Sequence, residues 1–287
     1  SAADFQKFYE KLIQMPVDQI EDRFGVNQEY AHLLIPAAII YKQILEMTGA
    51  EMLWIPGIRM CDGIAADYAE KQKYLKFTHN FDDDILSASR NMAKRYRCNT
   101  SHGQKIENYA LQIFDAMKKF HGLGTRERLL LRIASILHDC GKFISLRDSS
   151  VCAYNIIMAT EIIGLSHAER EIVAEVVRCN LDAFRYGEGS IRAGKLTAML
   201  RLANAMDRSH HGRLDDGKLQ VKGNKLIIST SYAGNLALET IAVEDKADFF
   251  EEMFGIRPEI RLVMPQDEDY AEEKANRHTS NYLMIAY

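Results

Sequence analysis

Leu137-His138-Asp139-Cys140-Gly141-Lys142-Phe143 closes a mostly apolar run that begins at Leu129. The run predicts a buried helix with an imidazole and a carboxylate side by side at its end. Both groups are good ligands for divalent cations. Both are also costly to bury unless something compensates them. Taken alone, the pair reads equally well as a buried histidine and a helix-terminal aspartate satisfied by backbone groups. The flanking helices decide between the two.

On the N-terminal side, a helix starts near Ser101, which can cap it. Ile106, Ala110, Ile113 and Met117 form its inward stripe, and His102 lies four residues before Ile106 on the same face. Before that, Asp82-Asp83-Asp84 opens a helix to about Tyr96. Arg90, Lys94, Arg95 and the following Arg97 make a basic side, either a solvated face or an anion contact. Gly122 and Gly124 separate the His102 helix from the His138 helix, for which Thr125 is a candidate cap. On the C-terminal side, Asp148, Ser149 and Ser150 offer caps for a helix over about 151–163, which Gly164 stops. Ser166 and Glu169 spell a capping box for a helix to about 179. A last core helix covers about 190–208, with Leu196, Leu200 and Ala203 inward and Asp207 next on that stripe. A carboxylate there needs a partner, either Arg201 or Arg208 or a cation.

Three helices therefore each bring candidate ligands inward: His102, His138-Asp139 and Asp207. Two imidazoles and two carboxylates can hold one Mg, Mn, Fe, Ni or Zn ion with positions left open. An open position is what metal-assisted hydrolysis requires. Lys142 and Arg178 are candidate phosphate contacts, and Arg201 is placed to orient a carboxylate or reach substrate. His210 and His211 read as loop residues beyond Asp207.

The ends of the chain read differently. Residues 4 to 15 predict a helix that Pro16 breaks. A second helix over about 36–47 takes Pro36 at its first position, Ala37, Ile40, Ile44 and Leu45 as its stripe, and Gly49 as its stop. Residues 51 to 56 predict a short buried strand, and Asp62 opens a helix to about Lys71. A lone strand needs sheet partners, and the start at Ser1-Ala2-Ala3 lacks an initiator Met. The opening segment is therefore expected to be the tail of a larger domain. After Gly212, strands over 218–222 and 225–230 make a hairpin around Gly223-Asn224. A helix over 244–254 and a strand over 259–264 complete a small α+β unit. A tail from Pro265, ending in Tyr282-Leu283-Met284-Ile285, is expected to be loose.

Composition sets the outer limits. The 287 residues allow two domains or one large one, and 47% hydrophobic with 26% charged content is ordinary for a globular protein. A net charge of -4 argues against coating DNA or an anionic membrane. Five scattered cysteines without a CxxC suggest free thiols in a reducing cytoplasm. No apolar run reaches the length of a membrane span. Neither a Gly-rich phosphate loop nor a GxSxG elbow occurs.

The order His102, His138-Asp139, Asp207 resembles the HD superfamily of metal-dependent phosphohydrolases. Ser101-His102-Gly103-Gln104, the seven residues 137–143, Ala153-Tyr154-Asn155-Ile156-Ile157 and the stretch Leu200 to Arg208 resemble the C-terminal half of the exopolyphosphatase/guanosine pentaphosphate phosphatase (Ppx/GppA) family. Pro36-Ala37, Ile39-Ile40 and Gly57-Ile58-Arg59 resemble the end of that family's second actin-like domain. The resemblance implies a mainly α chain: an incomplete α/β actin-like (RNase H-like) segment over 1–75, a helical HD domain over 76–212, and a small α+β domain over 213–287. It implies metal-dependent phosphohydrolysis of polyphosphate or a nucleotide phosphate, with one divalent metal on His102, His138, Asp139 and Asp207, Lys142 assisting, and Arg178 and Arg201 on substrate. It also implies a homodimer. Relatives with two metals carry further histidines where this chain has Val151 and Asn180, so one metal is expected. The alternative is a non-catalytic polyphosphate-binding and dimerisation module whose catalysis lies in absent actin-like domains.

Overall fold

The computed structural model describes residues 1–76, 78–184 and 191–263. The chain folds as two compact units, the first ending at Thr78 and the second starting at His79.

The first unit contains α1 (Ala2–Leu12), α2 (Val17–Phe24), α3 (Gln28–Thr48) and α4 (Met60–Lys71). Ser1 caps α1 and Asn27 caps α3 by accepting the backbone N–H of Asp4 and Tyr30. Residues 17–24 form a helix behind Pro16 that no sequence expectation covers. Three expectations need correction here. Helix α3 starts eight residues before Pro36, which lies inside it. An interior proline forfeits a ladder bond and costs about 3 kcal/mol; the Asn27 cap and the burial of Ala31 and Ala38 favour the continuous helix nonetheless. The expected stripe of α3 is also displaced. The core holds Leu12, Ile20, Ala31 and Ala38, with Leu34 and Ile35 beside them, while Ile40 and Ile44 are exposed. The third correction is residues 51–56, which form no strand. Met52, Trp54 and Ile55 are exposed, because no ladder partner exists for them among the described residues.

The second unit opens with α5 (Phe81–Arg95), α6 (Thr100–Ala116), α7 (Lys118–His121) and α8 (Thr125–Leu137). A short 3₁₀ turn (Cys140–Phe143) leads to α9 (Ser149–Ala159), α10 (His167–Cys179) and α11 (Ile191–Met206). Helix α8 is the centre, packed against α5, α6, α10 and α11. Every residue from Leu129 to Leu137 except Arg132 is buried, which is why the run reads apolar on all sides rather than on one stripe. Caps differ from expectation in small ways. Asn99 caps α6 in place of Ser101. Thr125 is the first residue of α8, and its N-terminus is closed by the Glu127 carboxylate accepting from Gly124 N–H. Helix α9 ends at Ala159, four residues early.

The remaining elements are β1 (Lys218–Lys222), β2 (Lys225–Thr230), α12 (Ala237–Phe254) and β3 (Arg257–Leu262). β1 and β2 form the expected hairpin, with Lys222 opposite Lys225. β3 joins β2 in parallel, so α12 is the crossover that a parallel pair requires. It begins seven residues earlier than expected and packs on α11. Met264 and the tail from Pro265 lie outside the described residues. No helix among the described residues is long and apolar enough to cross a membrane.

Candidate metal centre

The central helix α8 ends at Leu137, with His138 as its C-cap and Asp139 next, before the 3₁₀ turn. Gly141 lets that turn approach the backbone of α9. A Cβ placed there would meet the Ser149 carbonyl at 1.8 Å and the Ala153 amide nitrogen at 2.6 Å. The start of α9 thus lies directly against the backbone that follows the His-Asp pair.

His138 is fully buried at its side chain, and its Nδ1 donates to the Ser135 carbonyl at 2.7 Å. That bond fixes the tautomer and leaves Nε2 as a bare acceptor. Nε2 is buried and has no hydrogen-bond partner. Burial lowers the His138 pKa, so the ring stays neutral with its lone pair available. Asp139 lies 3.4 Å away at Oδ1. Burial raises the Asp139 carboxyl, but His138 and the Lys142 ammonium, 2.7 Å from Oδ1, outweigh it and hold the pKa below the ordinary value.

His102 enters from the first turn of α6, its ring 5.2 Å from that of His138. Its Nδ1 donates to Asp207 Oδ2 at 2.7 Å, and neither side chain is exposed. The second Asp207 oxygen accepts the Gly212 N–H at 2.9 Å. Burial raises the Asp207 carboxyl, and the His102 and Gly212 hydrogen bonds more than offset it. Asp207 therefore meets the Nδ1 side of the His102 ring. Ligand atoms of His102, His138 and Asp139 lie within 4.8 Å of one another.

Arg178 and Arg201 each have protein partners. Arg178 pairs with Glu175 at 2.8 Å and lies over the Tyr154 ring. Arg201 donates to the Cys179 carbonyl at 2.7 Å and to that of Asp182, and stacks on Phe249. It ties the end of α10 to α11 and α12. Val151 is half exposed, whereas Asn180 is buried with an unpartnered Oδ1.

His210, read from the sequence only as a loop residue, and Glu239, which the sequence did not single out, both lie near the site. His210 stacks on His102 at 3.8 Å, carried by a left-handed backbone with φ of 60°. Glu239 of α12, fully buried, accepts the Ser209 N–H and pairs with Arg213, so it fastens the loop that carries both His210 and Gly212.

The helical bundle converges two imidazoles and a carboxylate at the end of its central helix, a cluster that could hold a metal ion. Comparison with known proteins gives the lineage. The family model described as Ppx/GppA phosphatase, domain III, matches residues 86–237, over half of the chain, and the chain belongs to the Ppx/GppA phosphatase family. A guanosine-5'-triphosphate,3'-diphosphate pyrophosphatase of Photobacterium profundum is 22% identical over 236 residues. The aligned part covers 80% of this chain and 45% of that protein, so the chain spans under half of its relative's length.

Proposed function

We propose that the helical part of the second unit is an HD-type phosphohydrolase module that holds one divalent cation on His102 Nε2, His138 Nε2 and the Asp139 carboxylate. The observation that carries this reading is the buried, unpartnered His138 Nε2. A lone acceptor of this kind is rare in a folded interior, and it faces a second imidazole and a carboxylate. Both imidazoles have their other nitrogen fixed, one by a carbonyl and one by a carboxylate, the outer-shell pattern of metal-bound histidines. When bound, the cation supplies Lewis acidity toward phosphate and water. Asp207 holds the His102 tautomer, and Lys142 places a positive charge beside the centre for a phosphate oxygen. Under this reading the substrate is a nucleotide phosphate, as in the name of the relative, or inorganic polyphosphate. Phosphate release from guanosine 5'-triphosphate and tripolyphosphate, with Mn, Mg, Fe, Ni or Zn supplied in turn, tests it. Turnover that Asp139→Asn lowers by about 100-fold or more is expected. Equal release by both proteins would remove the assignment.

One observation favours a second reading. The Lys142 ammonium already occupies a carboxylate oxygen of Asp139. In this reading Lys142 neutralises the site, and the module binds phosphate chains without turning them over.

A further inference from the structure

A second recess lies beside the candidate metal centre. Helices α5 and α6 leave a cavity of about 380 Å³ whose lining includes Arg90, Lys94, Cys98, Gly103, Gln104 and Ile136. Gly103 directly follows His102, and Cys98 is close enough to Asp139 for the carboxylate to act on its thiol. The two sites thus share the first turn of α6 yet open on different side chains.

The cavity wall carries a fixed positive excess. Its one acidic lining residue, Glu107, is nearly buried and pairs with two guanidiniums, Arg90 and Arg132. Arg90 is held to both Glu107 oxygens, at 3.0 and 3.1 Å. Anchored this way, it is pre-organised for an incoming anion. Lys94 is the second lining cation, with no ion pair among the described residues. The apolar part of the lining is Ala93, Ile136 and Cys98. The carboxamides of Asn91 and Gln104 add paired donors and acceptors.

We propose that this cavity is a binding site for a nucleoside monophosphate, its base on the apolar lining and its phosphate on Arg90 and Lys94. The volume is that of a small-molecule site and far exceeds what an orthophosphate ion fills. A linear polyphosphate has no ring with which to cover Ala93 and Ile136. The carboxamides match the hydrogen-bonding edge of a base. The proposal stands apart from the metal reading, since it uses neither imidazole nor Asp139.

Gly103 makes the test clean. It is an ordinary helical residue, and a Cβ built on it meets no atom within 4 Å. Gly103→Leu therefore fills the recess without straining the backbone. Titration calorimetry on the full chain, with chelator present, uses adenosine and guanosine 5'-monophosphate as probes, and tripolyphosphate and orthophosphate as contrasts. One nucleotide is expected to bind one-to-one with a dissociation constant between about 10 μM and 1 mM. Lys94→Ala is expected to weaken it about 5- to 30-fold and Gly103→Leu to abolish it. The proposal is overturned if neither nucleotide binds at millimolar concentration, if binding survives Gly103→Leu, or if the inorganic anions bind equally tightly. Should Gly103→Leu fail to fold by circular dichroism, Lys94→Glu decides, since unaltered nucleotide binding to it contradicts the assignment.

Discussion

His138 donates one nitrogen to Ser135 and keeps the other bare inside the core, and the chemistry of the centre follows from that asymmetry. A neutral ring with a fixed tautomer is a ready ligand, and the neighbouring cation, Lys142, competes for the same carboxylate. Lys142→Gln separates the two roles set out for that side chain. If Lys142 neutralises the site, the variant gains metal affinity by about 3- to 10-fold. If it holds substrate, the variant instead loses kcat/KM with metal affinity nearly unchanged. Parallel metal titration and kinetics read the difference. The sequence put His102, His138, Asp139 and Asp207 at or just beyond the ends of core helices, and the structure buries His102, His138 and Asp207 there and half-buries Asp139. The sequence did not show that Asp207 acts through His102, since spacing places a carboxylate on a face but does not say which atom its oxygens meet. His210 was illegible for the same reason: its stacking depends on a left-handed turn that no periodicity announces.

Helices α8 and α9 meet through Gly141, where the 3₁₀ turn touches the start of α9. Gly141→Ala drives a methyl into backbone and is expected to cost about 2–4 kcal/mol, seen as a lower midpoint in urea. No change in midpoint would contradict the close approach. Helix α10 offers a pH test. Glu169 closes its N-terminus and takes two hydrogen bonds from Arg126, and the Arg126 pairing holds its pKa at about 2. A depressed folded-state carboxyl stabilises above its unfolded value and loses that contribution as pH falls. The loss should run from about pH 4.5 down to about 2. Urea midpoints of wild type and Glu169→Gln should differ at pH 6 by about 1–2 kcal/mol of stability and converge near pH 2. A constant gap would contradict the assignment. The capping box was plain in Ser166 and Glu169, and so was the β1–β2 hairpin. The start of α3 was not, because Pro36 is a sound first residue and only the burial of Ala31 and Ala38 shows the helix passing through it.

The two units differ in how much they bury. The second surrounds α8 with a continuous core, whereas the first has four buried apolar residues and leaves Leu33, Ile40, Trp54 and Ile58 exposed. A small core supports little stability, and the 52–59 stretch has no regular hydrogen-bonded structure to protect it. Limited proteolysis of the whole chain should cut at 52–59 first and leave a resistant fragment beginning near His79. Cleavage within α8 or α11 at the same rate would contradict this. Residues 51–56 read as a buried strand because their composition is suited to one. Within the second unit, α6 and the turn after α8 bring His102, His138 and Asp139 together, with Asp207 at the end of α11 bonded to His102. The most direct test is elemental analysis of the purified, metal-loaded chain, alongside His138→Ala and Asp207→Asn. About one equivalent of a divalent metal in wild type, none in His138→Ala, and an affinity about 10- to 100-fold weaker in Asp207→Asn is the predicted result. A wild-type chain that retains no metal after loading, or a His138→Ala chain that retains as much, would contradict the account.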